Sequence, residues 1–469
     1  MLFTSFTFLS CFLPAVLGIY FLIPSRHSQF RNNWLLFASL LFYGWGEPFY
    51  ILYLLGVILL THMGGLASFK FRSSKIGNMA SWFVCAILVL GLVYFKYVGF
   101  LFRNLGIVLG IRFPTHAVKI PLGISFFTFQ AMSYVLDVRR RVAVPSRNIL
   151  TTALYIVLFP QLVAGPIVKY RDIARQIAWR NTSLEQVANG LRRFVEGLAK
   201  KVLLANQLAV VADSSFDIPP SELSLCAAWI GSLFYAFQIY FDFGGYSDMA
   251  IGLCEVFGFK IAENFRYPYL SRSVTEFWRR WHISLSSWFK DYLYIPMGGS
   301  RCSKSRNVRN LFVVFLATGI WHGAEWTFVA WGCYYGFLVV AERLCGLGTP
   351  PTAGSVKDVL RHTYFVISTL CGWTLFRAND IDQAIHRLGT MFFIVRSSEH
   401  MPISLLVPPS GILVLGIALL TACGAFRCFL HRSTRLGKNV SDAVRIALLI
   451  AAEGSLAASS FNPFIYFRF

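Results

Sequence analysis

Residues 311–331 read LFVVFLATGIWHGAEWTFVAW. The run is long enough to cross a bilayer, which takes about 20 apolar residues as a helix. Its only ionisable side chains are His322 and Glu325, three residues apart and so on one helical face. An ionisable group at membrane depth is costly and by default marks function. Gly319 and Gly323 flank His322 at G-x-x-x-G spacing, which lets another helix approach closely. The competing reading is a packing face whose histidine joins two membrane helices by a hydrogen bond. This segment alone leaves both open.

Outward from it, the composition sets the class. The chain has 469 residues, 56% hydrophobic and 14% charged, against about 25% charged in soluble domains. Apolar runs of span length recur from end to end. They predict an all-α, polytopic membrane protein with about eleven transmembrane helices, some broken and some interfacial. No long polar stretch offers a soluble domain, so residues 1–469 are expected to form one membrane domain. Residues 1–23 lack a basic n-region and exceed an h-region, so they are expected to stay as the first span.

A net charge of +21 invites a nucleic-acid reading. Its distribution argues against one: Arg139, Arg140 and Arg141, or Arg301, Lys304, Arg306 and Arg309, are short clusters between apolar runs. Such clusters are what cytoplasmic loops carry beside anionic headgroups. The ten cysteines include no C-x-x-C and lie mostly in apolar runs, which predicts neither disulfides nor a metal cluster.

Along the chain, residues 34–43 and 49–60 read as a broken pair or short hairpin around Gly44, Gly46 and Pro48. Residues 80–102 are a span, with Lys96 near enough to its end to snorkel. Residues 150–168 hold Pro160, Gln161, Gly165 and Pro166, which predicts a helix broken inside protein rather than against lipid. Residues 202–211 are apolar but too short to span. Residues 227–259 are too long for one span and look interrupted at Asp242, Gly244, Gly245, Ser247 and Asp248. Residues 260–309 contain no full span and read as a cytoplasmic or interfacial loop and helix. Residues 403–426 and 443–461 are the last expected spans.

Residues 277–292, FWRRWHISLSSWFKDY, read as one interfacial helix. Phe277, Trp281, Leu285, Trp288 and Tyr292 fall on one face, Arg279 and Lys290 on the other, and His282 at the edge of the stripe. The tryptophans suit an aromatic belt or core. His282 follows two arginines; a neutral imidazole accepts a proton near pH 7, and arginines can hold an anionic donor. Neither histidine sits in a metal-binding pattern such as H-E-x-x-H, and no P-loop, G-x-G-x-x-G or G-x-S-x-G occurs in a fitting context.

Four motifs then stand in order: YFDFGGYSDMA (240–250), NFRYPY (264–269), FWRRWHISLSSWFKDYLYIPMGG (277–299) and GIWHGAEWTFVAWG (319–332). Together they resemble the membrane-bound O-acyltransferase family. PLGISFFTFQ (121–130), FPQLVAGPI (159–167) and WTLFRA (373–378) point to its bacterial, alginate-acetylating branch. The resemblance implies tilted and re-entrant helices around a central tunnel, a catalytic core at 227–332, a catalytic His322 and a second functional histidine, His282. Arg279, Arg280, Trp278, Trp321, Asn264, Asp242 and Asp291 are the expected donor-binding or tunnel-lining residues. Glu325 lies outside the family motif, and Gly245 belongs to a Gly-Gly pair where the family often has Ser-Gly.

The expected activity is transfer of acetyl groups from a cytosolic thioester, acetyl-coenzyme A or an acyl carrier, across the bacterial inner membrane. The acceptor would be an exported polysaccharide, reached with a periplasmic or extracellular acetyltransferase partner. No bound cofactor, metal or nucleic acid is expected. Acetylation of peptidoglycan and D-alanylation of teichoic acid use the same fold. A transporter binding its substrate at His322 and Asp242 is the reading from another class.

Overall fold

A computed structural model describes residues 3–113, 118–347, 354–395, 402–430 and 435–458. All regular structure among them is helical. The chain falls into two compact units. The first comprises Met1–Phe194 with Ser247–Ala262, the second Val195–Tyr246 with Glu263–Phe469.

The first unit begins with α1 (Leu13–Leu22), α2 (Ser28–Gly46), α3 (Tyr50–Lys70) and α4 (Lys75–Leu109). Among the described residues, α3 and α4 are the two helices long and apolar enough to cross a membrane by length and composition. The expected short hairpin over 34–60 is thus two full helices, since the polar start of α2 (Ser28, Gln29, Asn32) also joins the helix. Lys96 does not snorkel. It lies well inside α4, which runs about 52 Å at 1.5 Å per residue, and it is buried.

Next come α5 (Ile124–Arg139), α6 (Ile149–Val157), α7 (Phe159–Leu162) and α8 (Tyr170–Ala178). The break expected within 150–168 falls at Leu158. It is satisfied from inside: Phe159 N–H donates to Ser39 Oγ at 3.1 Å, and Gln161 Nε2 to the Tyr155 carbonyl at 2.8 Å. Buried backbone freed by a break needs such partners.

A long helical run follows: α9 (Leu184–Ala199), a π-helical segment (Lys200–Ala205) and α10 (Asn206–Phe216). The apolar piece at 202–211 therefore does not stand alone but continues a helix. Then α11 (Leu225–Val256) runs unbroken through Asp242, Gly244, Gly245, Ser247 and Asp248, against the expected interruption. The carboxylates are neutralised rather than accommodated by a break. Asp242 pairs with Lys201 at 2.6 Å and Asp248 with Arg193 at 2.8 Å. Gly245 lets the facing backbone in, since a Cβ there would sit 2.6 Å from the Gly197 carbonyl oxygen.

The residues read as one interfacial helix form three pieces: α12 (Val274–Arg280), α13 (Ile283–Phe289) and a π-helical turn (Lys290–Tyr294). Trp281 is extended and His282 left-handed (φ 43°). All five apolar positions of the expected stripe are nonetheless buried, and Arg279 and Lys290 are exposed.

The opening run is likewise not one crossing. It is the junction of α14 (Lys304–His322) and α15 (Trp326–Leu344), which turn on residues 323–325. Gly323 is fully extended and ends α14 directly after His322, while Glu325 is extended and precedes α15. His322 and Glu325 therefore do not share a helical face. The glycine spacing does serve close approach, though to the next helix in sequence. A Cβ at Gly319 would lie 2.8 Å from Gly332 Cα, and one at Gly323 would run into the Phe328 ring. Gly319→Val is expected to lower stability by about 1–3 kcal/mol, the usual range for overpacking. Thermal unfolding of the purified chain in detergent measures it; an unchanged midpoint would show that α14 and α15 can part freely.

The remainder is α16 (Val356–Arg377), α17 (Ile381–Met391), α18 (Ile403–Leu406), α19 (Pro409–Ala422), α20 (Ala425–Leu430) and α21 (Arg435–Ala458). Residues 459–461 of the last expected span lie outside the described residues.

Candidate active site

The site belongs to the second unit and is built on two interrupted helices. The first interruption is made by the α12–α13 break. The α12 start is strongly held: Ser273 Oγ accepts from Glu276 N–H at 3.0 Å, and the Glu342 carboxylate accepts from the N–H groups of Val274 (2.6 Å) and Thr275 (2.8 Å). These are the donors a helix N-terminus leaves without partners. Arg280 closes the helix by pairing with Glu276 at 2.7 Å.

Beyond Trp281, whose N–H still donates to the Phe277 carbonyl, the helical ladder stops, and the non-helical residues 264–266 take it over. Arg266 N–H donates to the Arg280 carbonyl and Ile283 N–H to the Asn264 carbonyl, both at 2.9 Å. Between these bonds sits His282. A left-handed non-glycine residue costs about 1–3 kcal/mol and persists only where its surroundings over-determine it. The determinants are visible. His282 Nδ1 is 3.1 Å from Asn264 Oδ1, and the same oxygen accepts from Ser284 Oγ at 2.9 Å and Ser284 N–H at 3.3 Å. The Phe243 ring of α11 meets the imidazole edge-on at 4.6 Å. His282 lies outside the two helices long and apolar enough to cross a membrane, and burial pushes its pKa down to about 3.

The second interruption holds His322, the last residue of α14. Its ring packs against Trp321 at 5.0 Å, Trp331 at 5.2 Å and Phe376 at 5.1 Å. It keeps 7% of its surface exposed, against 1% for His282. Trp321 also meets His282, at 6.2 Å between ring centres. One indole thus stands against both histidines, which lie on either side of α13, a π-helical turn and most of α14 in the sequence.

The other expected residues divide. Trp278 packs against Phe315, Trp331 and Tyr335, in the aromatic wall behind His322. Its indole N–H and that of Trp331 are buried without an acceptor among the described residues. Asp242 lies on α11 beside Phe243; the Lys201 Nζ that holds it also donates to Asn206 Oδ1 at 2.8 Å. Arg279 is exposed, and Arg280 is engaged by Glu276 and the Arg266 carbonyl. Asp291 is half-buried in the π-helical turn after α13.

Reading the residues in order overlooked Lys201, Phe243, Ser284 and Phe376. Lys201 ends a polar, basic stretch (169–201) that reads as a helix at the cytoplasmic surface. The other three carry no signal beyond quoted motifs, because their roles depend on which helix each one faces.

Two buried imidazoles in ring contact with one indole form a site that can handle protons within an apolar interior. The comparisons name an acyl-transfer chemistry. Residues 92–377 match the model of the membrane-bound O-acyltransferase family. The chain is 36% identical to the probable alginate O-acetylase of Azotobacter vinelandii, with both chains covered completely. It is 39% identical to the probable alginate O-acetylase of Pseudomonas aeruginosa, over 84% of this chain and 75% of the other. It is 34% identical to the peptidoglycan O-acetyltransferase of Helicobacter pylori, over 83% and 80%. His282 and His322 both lie inside the matched region. The chain is an O-acyltransferase of bacterial type, and it belongs to the membrane-bound O-acyltransferase family.

Proposed function

We propose that this protein moves acetyl groups from a thioester made in the cytosol across the inner membrane, for O-acetylation of an exported polysaccharide of the alginate type. The observation that carries the reading is His322 at a helix end, buried among Trp321, Trp331 and Phe376 with 7% of its surface exposed. An imidazole so placed suits a general base. It takes the proton of an acceptor hydroxyl while the oxygen bonds to the acyl carbon. The carbon–sulfur bond breaks, and the proton passes to the leaving thiolate.

The hydroxyl belongs to the polymer or to a serine of a periplasmic or extracellular acetyltransferase that carries the acetyl group onward. The donor is acetyl-coenzyme A or an acyl carrier. About eleven crossings around a protein-lined tunnel would let these polar groups exist at membrane depth away from lipid. His282 is the second functional histidine. Complete mutual coverage with the Azotobacter vinelandii relative favours alginate; the Helicobacter pylori relative keeps peptidoglycan as the second acceptor.

Purified protein in lipid bilayers, given an acetyl thioester and acetyl-free alginate or peptidoglycan, tests the reading. Acetate ester on alginate is expected. Ester on peptidoglycan alone moves the assignment to the second acceptor, and thioester left intact with both, even with the partner added, refutes the donor. Within this assay His282→Ala is expected to lower transfer more than Trp278→Phe does. Equal losses would make His282 a packing residue.

A further inference from the structure

Asn264 decides something about His282 that neither residue decides alone. The Asn264 side-chain atom near His282 also faces the backbone N–H of Ser284, at 3.3 Å. A backbone N–H only donates, so the atom facing it is the amide oxygen and not the amide nitrogen. That oxygen has no proton to give. The His282 nitrogen 3.1 Å from it, Nδ1, therefore carries the ring proton, and Nε2 carries the lone pair. Nε2 is buried and has no hydrogen-bond partner among the described residues.

We infer that Asn264 is a positioning residue that locks His282 as the neutral Nδ1–H tautomer, so that Nε2 accepts a hydrogen bond or proton from an N–H or O–H group of the substrate. This rests on His282 being the second functional histidine, and it fixes what that histidine can do. An imidazole in this form is an acceptor at the reacting side and lends no positive charge to an anion. Of the two arginines before it, Arg279 is exposed and Arg280 pairs with Glu276.

The surroundings keep the ring neutral. From α11 it meets Phe243 and from α14 it meets Trp321, both uncharged. Asp242 beside Phe243 is held by Lys201, Glu276 on α12 by Arg280, and His322 packs on Trp321. Ser284 Oγ stands 3.5 Å from Nδ1, farther than its 2.9 Å contact with the Asn264 oxygen.

The test is the nitrogen spectrum of the full-length chain, labelled with 15N-histidine, in lipid bilayers at neutral pH. His282→Gln assigns the signals. The expected result is a protonated Nδ1 and an unprotonated Nε2 for His282. An imidazolium, or a proton on Nε2, would overturn the inference. Asn264→Leu is expected to abolish the single tautomer and to lower transfer by about 10²-fold at every pH; an unaltered His282 signal would count against the lock.

Asn264→Asp provides a second variant should the leucine chain not fold. It keeps an acceptor for Nδ1–H and adds a charge that favours imidazolium. Transfer should then fall on the acid side and recover as pH rises, with the acid limb of kcat/KM moved up by at least one pH unit. A merely structural asparagine would give equal loss at every pH. The spectra need neither donor nor acceptor, so they decide the tautomer even where the proposed polymer is the wrong one.

Discussion

His322→Ala is expected to lower acetyl transfer by about 10²–10⁴-fold, the contribution of a positioned base, while the protein accumulates at its ordinary level. The substitution should leave the fold in place for a local reason. α14 ends because Gly323 is extended, and the helices approach through Gly319 and Gly332, none of which needs the imidazole. The rings of Trp321, Trp331 and Phe376 remain to wall the site. Acetate released from surface polysaccharide of a strain carrying the variant, set against protein detected in its membranes, separates lost chemistry from lost protein. Ordinary acetyl content with ordinary protein would remove His322 from the reaction.

The second large effect concerns stability. Lys201→Met is expected to destabilise the protein by about 3–5 kcal/mol, the penalty of stranding one buried charge when its partner is removed. Both side chains of the Lys201–Asp242 pair are only 3% exposed, and their separation is 2.6 Å. Coulomb attraction does not by itself make such a pair stabilising, because desolvation opposes it. Replacing both members with apolar residues, Lys201→Met with Asp242→Leu, should therefore recover most of the loss.

Arg171→Ala supplies the contrast. Its pair with Asp172 spans 3.7 Å with side chains 31% and 58% exposed, and exposed pairs contribute about 0–1 kcal/mol. Unfolding midpoints of the four proteins in detergent decide the matter. A double variant as unstable as the single one would mean that the pair contributes more than mutual neutralisation.

Part of the site was legible from residue types. His322 stood out as an ionisable group in an apolar run; Asp242 beside paired glycines read as a polar break, which the unbroken α11 does not have. The aromatic stripe from Phe277 to Tyr292 was legible as well, and all five positions are buried. The single helix proposed to carry that stripe was not. Periodicity reports which side chains seek the interior, and a helix broken at His282 buries the same set. The partners of the polar groups were hidden for another reason. Lys201 and Asp242 are forty-one positions apart, and no local rule links them.

Sequence by itself determined the membrane class and the family, and singled out His282 and His322 as candidates, since composition, apolar run length and ordered motifs are properties of the chain read along its length. Tertiary structure alone decided that residues 311–331 are two helices meeting at His322, that α11 is unbroken, and that Trp321 stands against both imidazoles. The same holds for the nitrogen on which His282 carries its proton. Each of these depends on a backbone group or a charge finding its partner on a different element, and such pairing exists only once the elements have packed.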